Sequence, residues 1–404
     1  MENQSLTRSS NLEIKRALLL IGIVFVAFNL RSAITAVGPL VSSIRADMGI
    51  SNGLVGFLTT LPLLSFAVLS FYAPRLGHRF GNEIMVFVAL FALTAGIIMR
   101  STGLIFTLFV GTAIIGVGIA IINVLLPGIV KKKYPENVGL ITGVYTTSMS
   151  IFAALGSGLS IPLAQGLNLG WQKSLLFWSI LAVIAIFLWI PHLRQGLKNS
   201  KPVPKITNVA GNTLWRSKLA WQVTIFMGFQ SFIFYCTIAW LPEILSGSGL
   251  NMATAGWMLT IMQLAGLPMT FLTPLFADRF ENQRGIVLLI GVLYIGGIIG
   301  ILVGGSLLLL SLSVILLGLG QGAAISLALT FFGLRSASAQ QAAELSGMAQ
   351  SIGYTLAAVG PILLGFILDI THSGTIPLLI LGGAVVIMSL AGLGAGRNRT
   401  VYQS

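Results

Sequence analysis

Arg31 is the residue whose type and position raise the clearest chemical question in this sequence. It lies inside the apolar run Ala17–Leu40, 14 residues after the run begins and nine before it ends. A guanidinium at the centre of a membrane helix costs about 2.5–3.5 kcal/mol on insertion scales, so such a group usually faces a cavity or a partner. At helical spacing Phe28, Arg31 and Thr35 share one face. We predict that Arg31 binds an anionic or electron-rich substrate through its guanidinium donors; the alternative is a structural ion pair or a carbonyl cap.

Amides and phenols are the other interior polar groups that the sequence offers to a substrate. An amide in lipid either binds a ligand or forms an interhelical hydrogen bond, typically worth about 0.6 kcal/mol, and the sequence favours neither. A tyrosine either stacks on a planar substrate or packs like any other aromatic. Gln350 and Tyr354 are four residues apart, so they share a helix face. Besides Arg31 and Thr35, the predicted substrate site contains Asn123, Gln230, Tyr235, Gln321, Gln350 and Tyr354.

The apolar segments lack acidic groups in their interior. All ten acids and all three histidines lie at the ends of these segments or between them. A proton-coupled multidrug efflux antiporter normally needs a buried acid for which a proton and a cation compete, so that function is the alternative rather than the first choice. No nucleotide-binding glycine loop, metal-ligand cluster or Ser/His/Asp arrangement occurs in the sequence. We therefore predict neither an enzyme nor a cofactor or metal site.

The composition indicates that lipid is the solvent of this chain. Of the 404 residues, 55% are hydrophobic and 8% are charged, whereas soluble domains carry about 25% charged residues. The net charge of +13 fits the basic cytoplasmic loops of membrane proteins better than a nucleic-acid partner. The first 16 residues lack the pattern of a cleaved signal peptide, so the first apolar segment is expected to remain as a helix.

Twelve apolar segments are long enough to cross a hydrocarbon core, which takes about 20 residues. The polar interval 192–216 is predicted to be a cytoplasmic linker between an N-terminal six-helix half, 1–191, and a C-terminal half, 217–404. Nineteen basic residues lie on the side of the two termini and three on the other, leaving only Arg31, which predicts cytoplasmic termini. The segments are 17–40, 52–73, 84–101, 104–130, 138–166, 171–191, 217–242, 252–276, 285–304, 306–334, 342–368 and 375–395.

The two halves contain matching stretches. The loop predicted after segment two, "PRLGHRFGNE" (Pro74–Glu83), matches "PLFADRFENQ" (Pro274–Gln283) at an offset of 200 residues. Within segments five and eleven, "ITGVYTTSMSIFAALG" (Ile141–Gly156) matches "LSGMAQSIGYTLAAVG" (Leu345–Gly360) at an offset of 204. Two glycine- and alanine-rich helices can agree by chance, but two matches at nearly one offset favour an internal duplication. Parallel six-helix repeats with a substrate site near the midplane are typical of major facilitator transporters.

The first of these stretches resembles the G-x-L-A-D-R-x-G motif of the major facilitator superfamily. Arg79 and Gly81 fit the motif, but His78 stands where the family has Asp; the second copy restores the acid at Asp278. In the family these charged loops latch the cytoplasmic helix ends together, and His78 departs from the acid of that latch. The predicted cytoplasmic gate consists of Arg75, His78, Arg79, Asp278 and Arg279.

A narrower resemblance is to the cyanate porter and 2-nitroimidazole exporter family. It is carried by "LR" (Leu30, Arg31), "NVLLPGIVK" (Asn123–Lys131), "WRSKLAWQV" (Trp215–Val223), "WLPEIL" (Trp240–Leu245) and "AAELSGMAQSIGY" (Ala342–Tyr354). The resemblance implies a small-solute permease of the bacterial inner membrane. We expect a monomeric secondary active or facilitative transporter that moves a small anion or small planar polar solute, cyanate-like or nitroimidazole-like, by alternating access. A non-transporting sensor or assembly factor is the remaining alternative.

Overall fold

Long helices make up almost all of the structure. A computed structural model describes residues 2–50, 52–198, 214–247, 249–371 and 373–401, and these residues form helices and turns without a strand. Two short helices, Val41–Met48 and Gly170–Phe177, precede α2 and α6. The twelve long helices are α1 Glu2–Thr35, α2 Asn52–Phe80, α3 Asn82–Arg100, α4 Ile105–Lys133, α5 Val138–Ile161, α6 Ser179–Lys198, α7 Lys218–Gly247, α8 Met252–Arg279, α9 Arg284–Val303, α10 Leu307–Leu334, α11 Ala339–Thr371 and α12 Thr375–Ala395.

Local signals in the sequence set the ends of several helices. Asn251 and Ser306 cap α8 and α10 by accepting hydrogen bonds from the backbone N–H groups of Thr254 and Leu309, which helices leave unpaired in their first turn. Gly304, with φ +67°, ends α9 in a conformation that L side chains rarely adopt. Among the described residues, eleven helices are long and apolar enough to cross a membrane, and α2, with 29 residues, is the remaining long one.

Short connections alternate the helix direction, so the first residue of α1 and the last residue of α12 lie at the same end of the bundle. We call this end the termini side. The helices α2, α4, α8 and α10 end there, whereas α5 and α11 begin there. Helices α1–α6 contact α7–α12 through glycines near this end, where the ideal Cβ positions of Gly128 and Gly347 lie 2.7 Å from the carbonyl oxygens of Ala339 and Ser70. The termini side is therefore closed in this conformation.

The structure corrects the two predicted motif loops and shows where helices end within other predicted ranges. The first predicted segment, 17–40, agrees with the apolar span Ala17–Leu40, within which regular α-helix ends at Thr35. The two motif stretches are not loops, because residues 74–80 and 274–279 form the last turns of α2 and α8. Only Gly81, with φ +93°, separates α2 from α3. Of the predicted linker 192–216, residues 192–198 continue α6 and residues 199–213 lie outside the described residues.

Candidate substrate cavity

An open cavity lies between the two sets of six helices. Helices α1, α5, α7, α8 and α10 line it. Arg31 is the one ionisable side chain among the described residues of its wall. The other polar lining residues are Thr146, Ser150, Gln263, Thr270 and Gln321, and the apolar wall includes Met149, Phe234, Leu267 and Ile325.

Close packing of α1 on α5 places Arg31 at the cavity. Gly156 lets the helices approach, since its ideal Cβ position lies 3.0 Å from the carbonyl oxygen of Ser32. The Thr35 hydroxyl donates to the carbonyl oxygen of Ala153 on α5 at 2.9 Å, and the ring of Phe28 stacks on Phe152 with 3.7 Å between centroids. These contacts fix the last two turns of α1, so Arg31 faces the cavity from a rigid position.

Close packing of α8 on α10 places the two lining amides. The ideal Cβ position of Gly266 lies 2.8 Å from the carbonyl oxygen of Gly318, and that of Gly322 overlaps the backbone of Gly266. Gln263 lies one turn before Gly266, and Gln321 lies next to Gly322. The absence of side chains at the contact brings the helix backbones together. Both amides consequently line the same cavity.

The side chain of Arg31 has no hydrogen bond or ion pair to any residue that the structure describes. Its guanidinium lies over the ring of Phe234, 4.9 Å from the ring centroid, which gives a cation–π attraction. Two other arginines show what structural roles look like in this protein. Arg100 Nη1 donates to the carbonyl oxygen of Ala33 at 2.7 Å, and Arg335 Nε donates to that of Ala395 at 2.7 Å. Carbonyl capping thus occurs at Arg100 and Arg335 but not at Arg31.

Gln321 is the second polar group at the cavity that lacks a partner. Its side chain is only 5% exposed and has no hydrogen bond within the described part of the chain. Because the amide lines the open cavity, a substrate or water molecule there can form hydrogen bonds with it. The amide offers both a donor and an acceptor, in contrast to the donor-only guanidinium of Arg31.

The hydroxyl groups of the cavity wall donate their protons to backbone carbonyl oxygens. Thr146 donates to the carbonyl oxygen of Thr142 at 2.8 Å, Ser150 to that of Thr146 at 3.0 Å, and Thr270 to that of Gly266 at 2.9 Å. Each hydroxyl then presents only lone pairs to the cavity. The free donors are therefore the guanidinium of Arg31 and the amides of Gln263 and Gln321.

The structure brings Arg31 and Gln321 to the cavity but places the other predicted amides elsewhere. Gln350 Nε2 donates to the carbonyl oxygen of Asn123 at 3.1 Å, a contact that joins α11 to α4. Gln230 Nε2 donates to its neighbour Ser231 at 2.7 Å. Neither these residues nor Thr35, which is bonded to Ala153, line the cavity. Gln350 and Thr35 form interhelical bonds, whereas the contacts of Gln230 lie within α7.

The two predicted tyrosines lie near Arg31 but outside the cavity wall. Tyr235 and Tyr354 are both within electrostatic range of the Arg31 charge. Tyr354 packs its ring against Phe66, with 4.9 Å between the centroids. Neither tyrosine belongs to the cavity wall in this conformation, although both surround the same arginine.

Sequence reasoning missed several lining residues. Gln263 is an amide inside an apolar segment, the signal that selected Gln321, so the same rule could have found it. Phe234 precedes the predicted Tyr235 by one position and faces the cavity instead. Thr146 and Ser150 carry no distinguishing signal, because hydroxyls in membrane helices usually bond their own backbone. The rotation of each helix about its axis determines which side chains line the cavity, and the sequence alone does not specify that rotation.

The predicted gate residues lie at the termini side, at the ends of α2 and α8. Gly139, in the first turn of α5, packs against Asp278, and Lys131 lies within electrostatic range of the Asp278 carboxylate. His78 is half-buried and makes no hydrogen bond or ion pair to the described residues. Arg75 and Arg79 are exposed and lie over the rings of Phe71 and Phe80. For Arg279, which ends α8, the structure gives no such contact.

In the described part of the chain, twelve long helices surround a cavity whose wall carries one unpaired arginine, and this arrangement is that of a helical membrane carrier. The chain belongs to the Major Facilitator Superfamily, whose profile matches residues 19–363. The all-α fold of twelve membrane-spanning helices in two six-helix repeats is thereby confirmed, and the protein is a transporter, not an enzyme. It is an integral membrane protein.

Three relatives extend along most of the chain. An uncharacterized transporter, YycB, of Bacillus subtilis is 55% identical over 98% of this chain and 97% of its own length. The 2-nitroimidazole transporter of Escherichia coli is 41% identical over 98% of this chain and 100% of its own length. The cyanate transport protein CynX of the same organism is 26% identical over 85% and 88% of the two chains. The resemblance to the cyanate and 2-nitroimidazole transporters is confirmed.

The fold also matches a solved transporter. The proton:xylose symporter XylE superimposes with a TM-score of 0.74 over 98% of both chains, at 14% sequence identity. At this level of identity the likeness concerns the fold alone.

Proposed function

We propose that this transporter moves a small anion or a small planar, electron-rich solute by alternating access, with Arg31 as its main charge contact. The observation that carries the proposal is the unpaired guanidinium of Arg31 in a cavity whose described wall has no carboxylate. An anionic substrate would neutralise that charge, and Arg offers planar, bidentate donors for a carboxylate or nitro group. The names of the E. coli relatives, which handle 2-nitroimidazole and cyanate, support this substrate class.

The distribution of donors and acceptors sharpens the class of substrate. Donors converge from Arg31, Gln263 and Gln321, whereas the hydroxyls of Thr146 and Ser150 offer lone pairs. A solute with an anionic or nitro end toward Arg31 and an N–H or O–H end toward the hydroxyls would satisfy both. Phe234 provides an aromatic face beside the guanidinium. These features suit a flat heterocycle or a linear anion better than a bulky lipophilic cation.

The proposed setting is the plasma membrane of a bacterium, with both termini in the cytoplasm and the protein acting as a monomer. The bias of 19 basic residues on the termini side against three on the other supports this orientation. The closed termini side would then place the open cavity toward the exterior. Tyr235 and Tyr354, together with Asn123, Gln230 and Gln350, are proposed to reach the substrate in other conformations, and Thr35 to hold Arg31 in place.

Thermal stabilisation of the purified protein tests the proposal. The panel contains cyanate, nitrite, 4-hydroxybenzoate and 2-nitroimidazole, with a lipophilic dye cation as the competing class. Specific binding at 100 times Kd adds about 2.7 kcal/mol to the stability of the folded state. We expect at least one anion or nitro compound to raise the melting temperature of the wild type and to have no effect on Arg31→Ala.

The matched control is Arg397→Ala, because Arg397 is exposed beyond the end of α12. This variant should keep the full stabilisation. Stabilisation by an anion that survives in Arg31→Ala would show that Arg31 is not the charge contact. Stabilisation by the dye cation alone would favour the multidrug alternative.

A further inference from the structure

Among the described residues of the cavity wall, no carboxylate compensates the positive charge of Arg31. We propose that the protein therefore works as an anion exchanger: the loaded form crosses between access states readily, and the empty form crosses slowly. The inference rests on the proposed function, since it requires an anion to bind at Arg31. It concerns how transport is coupled, which neither the fold nor the substrate class determines.

Two of the acids whose side chains the structure describes have partners away from Arg31. Glu83 pairs with Lys132 at 3.5 Å and with Lys133 at 4.0 Å. Asp47 accepts hydrogen bonds from Trp171 at 2.8 Å and from Gln172 at 3.2 Å. The remaining acids of this set are Glu136, Glu243, Asp278, Glu281 and Glu344.

The helical acids of that set also lie well along the helix axes from the cavity. Asp278 follows the lining residue Thr270 by eight residues, about 12 Å at 1.5 Å per residue. Glu243 follows Phe234 by nine residues, about 13 Å. Glu136 and Glu281 are exposed in the connections at the termini side. These positions do not place a carboxylate opposite Arg31.

Glu344 is the acid nearest to the centre of α11. It precedes Tyr354 by ten residues, about 15 Å along the helix, and Gln340 donates to its carboxylate at 2.9 Å. It therefore belongs to the termini end of α11. Within the described wall, charge compensation for Arg31 has to come from the cavity contents.

Hydration of Arg31 changes during the transport cycle. In this conformation the cavity is open and Arg31 is half-buried, so water reaches its guanidinium. Alternating access requires an intermediate that is closed on both sides, which removes this water. A charge taken out of water without a partner carries a large penalty, and a bound anion supplies the partner. The ring of Phe234 offsets part of the penalty through its cation–π contact, in both the empty and the loaded form.

The same charge difference predicts how the membrane potential acts. When a monovalent anion occupies the site, guanidinium and substrate sum to zero. Exchange of one such anion for another then moves no net charge across the membrane. The rate at which the empty, positively charged site returns between access states should depend on the membrane potential.

Flux from proteoliposomes tests the inference. Vesicles containing the purified protein are loaded with radiolabelled cyanate, or in parallel with radiolabelled 4-hydroxybenzoate, and diluted into buffer with or without the same unlabelled anion. We expect efflux to be at least about tenfold faster with the anion outside, which corresponds to about 1.4 kcal/mol in the barrier. A potassium diffusion potential set with valinomycin should change the slow efflux and leave the exchange rate unchanged.

A cavity carboxylate should abolish this preference. Gln263 lines the cavity and is exposed to it, so Gln263→Glu introduces an acid without disturbing a packed site. We expect weaker anion binding and a ratio of exchange to net efflux that falls toward one. The neutral variant Gln263→Met removes an amide donor and should also bind the anion more weakly, but it should keep the high ratio because it leaves the charge of the site unchanged.

The outcomes separate the two proposals. Equal rates of efflux with and without external anion would leave transport established and show that exchange is not preferred. A high ratio that persists in Gln263→Glu would show that the charge of Arg31 is not the cause. If the anions leave at the rate of protein-free vesicles in both buffers, the proposed transport function is wrong and the exchange inference falls with it.

Discussion

The α5–α8 and α2–α11 contacts occupy equivalent places in the two repeats, yet they close the termini side by different means. In the first, Gly139 and Gly143 of α5 pack against α8, and the carboxylate of Asp278 lies beside the first turn of α5. In the second, Gly347 packs against Ser70 of α2, and the Ser351 hydroxyl donates to the carbonyl oxygen of Ala67. Close backbone packing is common to both, whereas the acid is present in one.

The reason for the difference lies in where α5 and α11 begin. The first backbone bond at the start of α5 runs from the N–H of Ile141 to Asn137, which leaves the N–H of Gly139, beside Asp278, without a partner inside the helix. By the repeat offset of 204, the position matching Gly139 is Ala343, but α11 already begins at Ala339. The N–H of Ala343 is therefore inside the helix and bonded to its own backbone. An acid in place of His78 would find no free donor at that position.

Among substitutions at these two contacts, Gly139→Val should have the largest effect on the closure of the termini side. The ideal Cβ position of Gly139 overlaps the carbonyl oxygen of Pro274 and the Cβ of Asp278, and a backbone atom cannot rotate away. We expect α5 to separate from α8 at a cost of about 1–3 kcal/mol to the closed state, which changes its population about 5–150-fold. Spin labels at Glu136→Cys and Glu281→Cys, both exposed, would report a longer distance.

Gly158→Val is the matched control on the same helix, because no atom lies within 4 Å of its ideal Cβ position. Cys236 is buried, so it should not compete for the spin label. A distance distribution in Gly139→Val equal to that of Gly158→Val would mean that the close packing does not hold this side shut.

The fold was largely predictable, because lipid imposes length and hydropathy on each span. The twelve segments, for example 375–395 against α12 at Thr375–Ala395, follow from that constraint. The motif stretches were misassigned as loops because His78 and Asp278 are polar, although helices extend past the apolar core at the termini side. Polarity marks the end of a span but not the end of a helix.

The cavity was less predictable, since it depends on helix rotation and on pairs of helices. Arg31 could be predicted from the sequence because a lone charge in an apolar segment is energetically costly. Gln321 could be predicted because an amide in such a segment is uncommon. Gln350 has the same chemistry as Gln321 but donates to Asn123 across a helix contact. One sequence does not show which glycines meet, and contacts such as Gly266 with Gly318 decide which amide reaches the cavity.

Asp278→Asn should have an intermediate effect and isolates the charge of the α5–α8 contact. The amide keeps the size of the side chain and an acceptor oxygen, but it loses the attraction to the N-terminus of α5 and to Lys131. A carboxylate at a helix N-terminus contributes about 0.3–1 kcal/mol, so we expect the labels at positions 136 and 281 to show a modestly larger open fraction. The matched variant His78→Asn should leave the α2–α11 distance, measured between labels at exposed Phe80 and Ala337, unchanged. Equal responses on the two sides would remove the asymmetry.

His78→Asp should have the smallest effect, although it restores the acid that the family motif contains. The N–H groups near the start of α11 are already used: that of Ala342 donates to the carbonyl oxygen of Ser338, and that of Gln341 to the Ser338 hydroxyl. We expect a change below about 0.5 kcal/mol, as for an ordinary surface substitution, and an unaltered distance between the labels at positions 80 and 337. A clear shortening of that distance would show that a carboxylate at position 78 finds a donor after all. The longer N-terminus of α11 would then not explain why histidine is tolerated there. If His78→Asp leaves this distance unchanged while Asp278→Asn increases the open fraction, the electrostatic contribution to closure comes from the α5–α8 contact.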